Sequence, residues 1–178
     1  AKQDWVSRAV RHTAAHVLPL LTPTPPLGYR IRAKLGVVGG QLTYSLSRSN
    51  QRQIISSCPV LRPELSRVLF GQASSLVSKI GDGGSLAALV GRVDGKDVVQ
   101  LAVELGPRGQ RAAVEAELAW LVESGVIAGA LLGERAIGSA ALSLDDSFSP
   151  LYASADGFAQ ASEAGHTVLP RLVREAVA

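Results

Sequence analysis

The sequence has one cysteine, no methionine and few aromatic residues, which make up 4% of its 178 positions. A single cysteine, Cys58, excludes an internal disulfide and any metal site built from cysteines of this chain alone. No apolar run approaches the roughly 20 residues of a membrane helix, and charges among the first eleven residues argue against a signal peptide. We therefore expect a cytoplasmic protein that makes no membrane contact.

Hydrophobic residues make up 47% of the chain, enough for the core of one domain. Their spacing predicts helices at 4–21, from Pro63 onward, at 110–124 and at 157–177, the last kinked near Pro170. Strands are predicted at 29–35, on both sides of turns at 39–40 and 94–97, at 53–56 and at 126–132, with weaker strands up to Tyr152. Because hairpins outnumber strict strand–helix alternation, we expect a single α+β domain with a mainly antiparallel sheet and flanking helices.

Residues 29–35 alternate apolar with basic side chains. Successive side chains of a strand point to opposite faces, so Arg30, Arg32 and Lys34 should share one exposed face. The other face should be buried, and it would carry Tyr29, Ile31, Ala33 and Leu35.

Basic residues are concentrated in the first part of the chain. Residues 1–67 contain ten Lys and Arg against two acids, whereas the remainder contains eight against thirteen. Such a segment is typical of a surface that binds a polyanion, because neutralised phosphates release counterions and add affinity. A solvated basic surface without a partner would have the same composition.

The usual signatures of catalysis are weak in this sequence. The glycine-rich run 81–84 follows a predicted helix and precedes a strand, which is the reverse of the order in a nucleotide-binding loop, so it reads as a connector. His12 and His16 lie four residues apart on a predicted helix but have no evident third ligand, which favours a solvated helix face over a metal site. A last group of candidates, for a hydrolase site, is Asp145, Asp146, Ser147 and Ser149. No histidine lies nearby in the sequence to activate a serine, so this run is better interpreted as a turn. We expect no catalytic residue in this chain.

Three blocks of the sequence resemble the bacterial RNA uracil-carbon-five methyltransferases. The first is residues 26–35 (PLGYRIRAKL) with Arg48 after it, the second is residues 58–65 (CPVLRPEL), and the third is residues 152–162 (YASADGFAQAS). Their order and separation agree with the middle of that family. The resemblance identifies residues 1–178 as the central, RNA-contacting domain, without the N-terminal RNA-binding barrel or the C-terminal methyl-donor domain.

The resemblance also implies a function and a set of site residues. The parent enzyme would transfer a methyl group from S-adenosylmethionine to a uridine of ribosomal or transfer RNA, with the nucleophile in the C-terminal domain. The RNA-contacting residues would be Arg30, Arg32, Lys34 and Arg48. Phe158 and Gln160 would lie beside the methyl donor and the target base. Cys58 matches the fourth ligand of the family's 4Fe-4S cluster, whose other three cysteines would have to come from upstream of this chain.

The chain departs from the family pattern near Gln160. Ala159 replaces a bulky residue, and Ala161 or Ser162 stands where the family has asparagine. A rival interpretation is a stand-alone, non-catalytic domain that binds a protein partner or oligomerises. The length of the full reading frame would distinguish the two.

Overall fold

The computed structural model describes residues 2–13, 25–46, 49, 51–144 and 151–177. Its helices are α1 (Lys2–Ala9), α2 (Pro63–Arg67), α3 (Ser74–Ile80), α4 (Arg111–Glu123) and α5 (Glu163–Val177), and a π-helical turn (Val68–Gln72) joins α2 to α3. Its strands are β1 (Arg32–Val38), β2 (Gln41–Ser45), β3 (Arg52–Ile54), β4 (Ser85–Val93), β5 (Lys96–Glu104), β6 (Gly129–Leu132), β7 (Arg135–Gly138), β8 (Leu142–Ser143) and β9 (Tyr152–Ala153).

One sheet organises the described part of the chain. Its main order is β3-β2-β1-β4-β5-β6-β7, and β8 pairs with β4 and β9. Every pairing between these named strands is antiparallel except that of β5 with β6, which α4 connects as a crossover helix. The prediction of an α+β domain with a mainly antiparallel sheet and flanking helices is confirmed.

Helices α2, α3 and α4, with the π-helical turn, cover one face of the sheet, which we call the helix face. Cross-strand partners share a face, so the register Leu35–Leu86–Val103 places three buried side chains together. They join one apolar cluster with the buried residues of the helices, which include Leu65, Leu69, Leu76, Ile80, Leu118 and Leu121. The core is built mainly from Leu, Val and Ala, as the shortage of aromatic residues requires.

The helix predicted from Pro63 is present, but it is interrupted. Proline suits the first turn, where its missing N–H has no helical partner. The backbone N–H of Ala73 then donates to the carbonyl of Val68 at 2.8 Å, an i to i−5 bond that widens the helix into the π-helical turn. Six apolar residues of this segment are buried: Leu65, Val68, Leu69, Leu76, Val77 and Ile80.

The predictions for the two ends of the chain were partly wrong. The first helix ends at Ala9 and residues 10–12 form a turn, while residues 14–24 lie outside the described residues. The last helix begins at Glu163 rather than near residue 157, because Ser162 accepts the Gly165 N–H at its side-chain oxygen and caps the first turn. Pro170 lies inside this helix.

The second face of the sheet, which we call the open face, is only partly covered. Buried Gln100 on β5 accepts a hydrogen bond from the Ala155 N–H at 2.7 Å and donates one to the Ser139 carbonyl, also at 2.7 Å. The Ile31 N–H donates to the carbonyl of Ala161 at 2.8 Å. These bonds hold the described parts of residues 139–162 across one end of the open face.

Candidate nucleic-acid interface

The alternation predicted for residues 29–35 is present. Ile31 and Leu35 are buried on the helix face, whereas Lys34 is exposed on the open face. Arg32 lies on the open face, but both Arg30 and Arg32 are only partly exposed, so the prediction of an entirely exposed basic set was wrong. Arg30 is partly buried because of tertiary contacts, since its backbone forms β-bridges with both Leu61 and Ser162. Tyr29, expected in the core, is half-buried.

Two arginines of this region each have one side-chain nitrogen without a hydrogen-bond partner among the described residues. The Nε atoms of Arg30 and Arg32 are buried and have no hydrogen-bond partner among the described residues. A buried N–H without an acceptor costs about 1–3 kcal/mol, so most such groups in proteins are paired.

Lys34, two residues after Arg32 on β1, forms an ion pair with Glu104. Its Nζ lies 2.7 Å from Oε1 of Glu104, and the Ser85 hydroxyl donates to the other oxygen of Glu104 at 2.7 Å. The hydrogen bond from Lys34 is the largest of the effects that lower the pKa of Glu104 below its usual value. Both side chains of the pair are largely exposed, so solvent weakens it and Lys34 can exchange Glu104 for another anion.

Arg52 is a basic residue of the open face that the sequence did not single out. It pairs with Ser45 on β2, and Thr43 pairs with Gly36 on β1, so Arg52 and Gly36 share this face. A Cβ atom at Gly36 would lie 2.6 Å from Nη1 of Arg52, which shows that the guanidinium lies over the glycine. Alternation along β3 could have assigned Arg52 to this face only if the pairing register of β3 with β2 had been known. Arg48, which the sequence did single out, lies outside the described residues.

A trough opens on the same face, beside the basic side chains. Its volume is about 310 Å³, and it is lined by Lys34, Ser85, Ala87, Ala102, Val103, Glu104, Leu131, Gly133, Glu134 and Asp156. Nothing in the local sequence predicts it, because its walls come from four strands, a turn and the segment that crosses the sheet.

Phe158 and Gln160 lie on the crossing segment. Phe158 is 85% exposed and Gln160 is half-buried, while Ala159 between them packs into the core. Because Ala161 is bonded to Ile31, this segment runs beside the beginning of the basic strand. The structure therefore brings the first and third blocks of the resemblance together.

Cys58 is half-buried and immediately precedes a turn at Pro59 and Val60, as the resemblance implies. Tyr44 is its neighbour: burial raises the pKa of the Tyr44 hydroxyl, the Cys58 thiol adds to the shift, and the guanidinium of Arg30 opposes it.

A 4Fe-4S cluster needs four thiolates, and this chain has one cysteine, so the residues present do not by themselves fit a cluster. Within the described residues no group of three His, Cys, Asp or Glu side chains is placed to hold a metal.

An ion network lies where the crossing segment meets the sheet. Arg62 donates to both oxygens of Glu64 at 3.1 Å and to Asp97 at 2.6 Å. Arg92 donates to Asp97 at 3.2 Å and to Glu163 at 3.1 Å. The network therefore joins the segment after Cys58, the β4–β5 hairpin and the beginning of α5.

The same network shifts the pKa values of its members. Burial alone would lower the pKa of Arg62, but its hydrogen bonds to Glu64 and Asp97 outweigh burial and raise it. Burial alone would raise the pKa of both acids, but hydrogen bonds from Arg62 outweigh that effect and lower them. Arg62, Glu64 and Asp97 are therefore ionised at neutral pH.

The glycine-rich run 81–84 is a connector between α3 and β4, as predicted. A Cβ atom at Gly84 would lie 2.6 Å from the Glu104 carbonyl oxygen and 2.7 Å from the Gly106 nitrogen. The Gly106 N–H in turn donates to the Ile80 carbonyl at 3.0 Å. These glycines are needed because two loops pack backbone against backbone.

The other sequence candidates contribute no described site. His12 is exposed and accepts a hydrogen bond from Arg11 at 3.0 Å, and its expected partner His16 lies outside the described residues. The run of acids and serines also lies outside the described residues; it comprises Asp145, Asp146, Ser147 and Ser149. No helix in the described ranges is long and apolar enough to cross a membrane.

The sequence matches no family model and no curated protein. The fold, however, is similar to a crystal structure of the Pyrococcus abyssi tRNA (uracil-54, C5)-methyltransferase in complex with S-adenosyl-L-homocysteine, with a TM-score of 0.66 and 14% sequence identity. The similarity covers 98% of this chain and 46% of that one, so the chain spans under half the length of its neighbour. At this identity the likeness shows the fold. The archaeal enzyme thus contains the same arrangement of strands and helices within a longer protein.

Proposed function

We propose that this chain is the RNA-contacting central domain of an S-adenosylmethionine-dependent RNA methyltransferase that acts on carbon five of a uridine. The observation that carries the proposal is the set of basic side chains of Arg32, Lys34 and Arg52 on the open face, in a fold similar to that of a tRNA (uracil-54, C5)-methyltransferase. The resemblance of three sequence blocks to that family supports the same assignment.

The basic side chains would bind the RNA backbone. Guanidinium groups bind phosphate with two parallel hydrogen bonds, and the partly buried Arg30 and Arg32 are already restricted in motion, so they lose less entropy on binding. Lys34 and Arg52 extend the same face, which suits a backbone carrying one charge per nucleotide. Phosphate contacts position the RNA without reading its sequence.

Phe158 would stack on an unpaired base of the RNA. Proteins that read single-stranded RNA stack splayed bases on exposed aromatic rings. The ring of Phe158 is 85% exposed, so a base could reach its face. The methyl donor and the nucleophile would belong to the domain that the resemblance places after this chain, so the role of these residues is to bind and orient the substrate.

The proposal predicts a salt-dependent affinity for RNA that depends on the open face. Replacing Arg32 and Lys34 by alanine should weaken binding of a single-stranded RNA and lower the magnitude of the log–log salt slope by about 0.7 for each lost contact. Arg108 and Arg111 are exposed at the beginning of α4 and give a control with the same loss of charge. An unchanged slope in a folded Arg32/Lys34 variant, or an equal change in the control, would contradict the proposal.

A further inference from the structure

An ion pair crosses the middle of the open face. Lys34 lies on β1 and Glu104 on β5, with β4 between them, yet Nζ of Lys34 lies 2.7 Å from Oε1 of Glu104. Strands separated by one neighbour are about 10 Å apart, so the lysine side chain must lie along the sheet rather than point into solvent. Its ammonium group is therefore drawn towards β5, away from Arg52 on the edge strand β3.

The side chains of β4 leave room for this contact. The register places Ala87 opposite Lys34 and Ser85 opposite Glu104, so the two positions of β4 between the charges carry short side chains. The Ser85 hydroxyl also donates to Oε2 of Glu104 at 2.7 Å, which holds the carboxylate in place and leaves Oε1 for Lys34. A long side chain at either position of β4 would separate the pair.

Water reaches both members of the pair. The side chain of Lys34 is 49% exposed and that of Glu104 is 67% exposed. An ion pair in such contact with solvent contributes little to the stability of a fold. Its larger effect is on ligands, because an anion that contacts Lys34 must displace Glu104 or bind beside its charge.

We propose that Glu104 is an internal competitor of the RNA for Lys34. This inference rests on the proposed function. A single phosphate that replaces the carboxylate beside Lys34 gains little, because both groups accept the same hydrogen bond. A strand that also contacts Arg32 and Arg52 releases several counterions, and this gain outweighs the lost ion pair. Glu104 therefore lowers the affinity for every anion that uses Lys34, and binding is left to strands that make further contacts.

Binding of a fluorescently labelled oligouridine hexanucleotide to the whole chain, measured by anisotropy at a fixed salt concentration, tests the inference. Glu104→Gln removes the competing charge and keeps the size of the side chain. It should tighten binding about threefold to fivefold, which is within the range of an exposed ion pair. Glu134→Gln removes another exposed carboxylate beside the trough, one that has no ion pair among the described residues. It should change the affinity by less than about twofold, because salt screens its charge.

Two further variants show whether the gain comes from the ion pair. Ser85→Ala keeps the charge of Glu104 but removes the hydrogen bond that holds it, so binding should tighten by less than in Glu104→Gln. In a Lys34→Ala background, Glu104→Gln should tighten binding no more than Glu134→Gln does, because the lysine for which Glu104 competes is gone. Circular dichroism checks that each variant is folded.

The outcomes separate this inference from the proposed function. Suppose that the unchanged protein binds the hexanucleotide with strong salt dependence, but Glu104→Gln tightens binding no more than Glu134→Gln. The inference is then wrong, and the RNA-binding role stands. A gain that persists in the Lys34→Ala background also overturns the inference, because Glu104 then acts through the overall field of the protein rather than through the lysine. If the unchanged protein does not bind the RNA, the proposed function fails and the inference fails with it.

Discussion

Arg62 donates through Nη1 to Oε2 of Glu163 at 3.2 Å, although the two residues are 101 positions apart in the sequence. Glu163 also accepts from Arg92, and it is the first residue of α5. The segment that carries Phe158 and Gln160 ends at this carboxylate. The ion network is therefore the anchor that fixes this end of the segment on the sheet.

Removing the central arginine of the network should destabilise the fold. Arg62→Met leaves Glu64, Asp97 and Glu163 close together with Arg92 as their remaining partner in the network, and breaking a partly buried charge network costs about 2 kcal/mol or more. Urea denaturation followed by circular dichroism measures the free energy of unfolding. Arg135→Met breaks an exposed pair with Glu115 and should cost less than about 1 kcal/mol. Equal losses in the two variants would show that the network adds nothing beyond a surface ion pair.

The network should make stability fall in acid. The pKa values of Glu64 and Asp97 lie below their ordinary values of 4.5 and 3.8, so the unfolded chain binds protons more readily than the folded one. Their contribution to stability is complete above about pH 4.5 and is lost as the pH falls through the lowered values. Urea titrations at pH 6 and pH 3 should show this drop, and Asp97→Asn should make it smaller. If Asp97→Asn loses as much free energy of unfolding between pH 6 and pH 3 as the unchanged protein does, the network is not the cause of the loss.

Gln100 should hold the crossing segment on the open face. Gln100→Leu keeps the apolar bulk but leaves the Ala155 N–H and the Ser139 carbonyl without their partner, at about 1–3 kcal/mol for each buried group. Amide hydrogen exchange should therefore rise in residues 151–162 more than in α4. Gln53 is exposed on β3, and Gln53→Leu should leave the exchange unchanged. If exchange rises equally in all elements, the role of Gln100 is global rather than local.

The loop at Gly84 should not tolerate a methyl group. Gly84→Ala would bring a Cβ atom within 2.7 Å of two backbone atoms, and relieving such a clash costs about 1–3 kcal/mol. Gly71 has open space where its Cβ would be and no positive φ, so Gly71→Ala should be neutral or slightly stabilising. Thermal melts of the two variants compare these effects directly. A stable Gly84→Ala variant would mean that the two loops can separate.

Local patterns in the sequence predicted much of the fold. The Asp94-Gly95 turn was expected because both positions tolerate positive φ, and the structure has φ values of 50° and 73° there. The periodicity of 110–124 predicted α4 to within one residue at each end, and alternation separated Ile31 and Leu35 from Lys34. Each of these features depends on residues that are close in sequence.

The sequence by itself determined which side of β1 is basic, because alternation in a strand is a local property of the backbone. Only the tertiary structure decided that Arg30 and Arg32 are partly buried, that Arg52 lies over Gly36, and that a trough opens beside them. These features depend on register and on how distant segments pack, and such contacts are set by the whole chain rather than by any one segment of it. The same holds for the bond between Arg62 and Glu163, since nothing within either segment indicates the other.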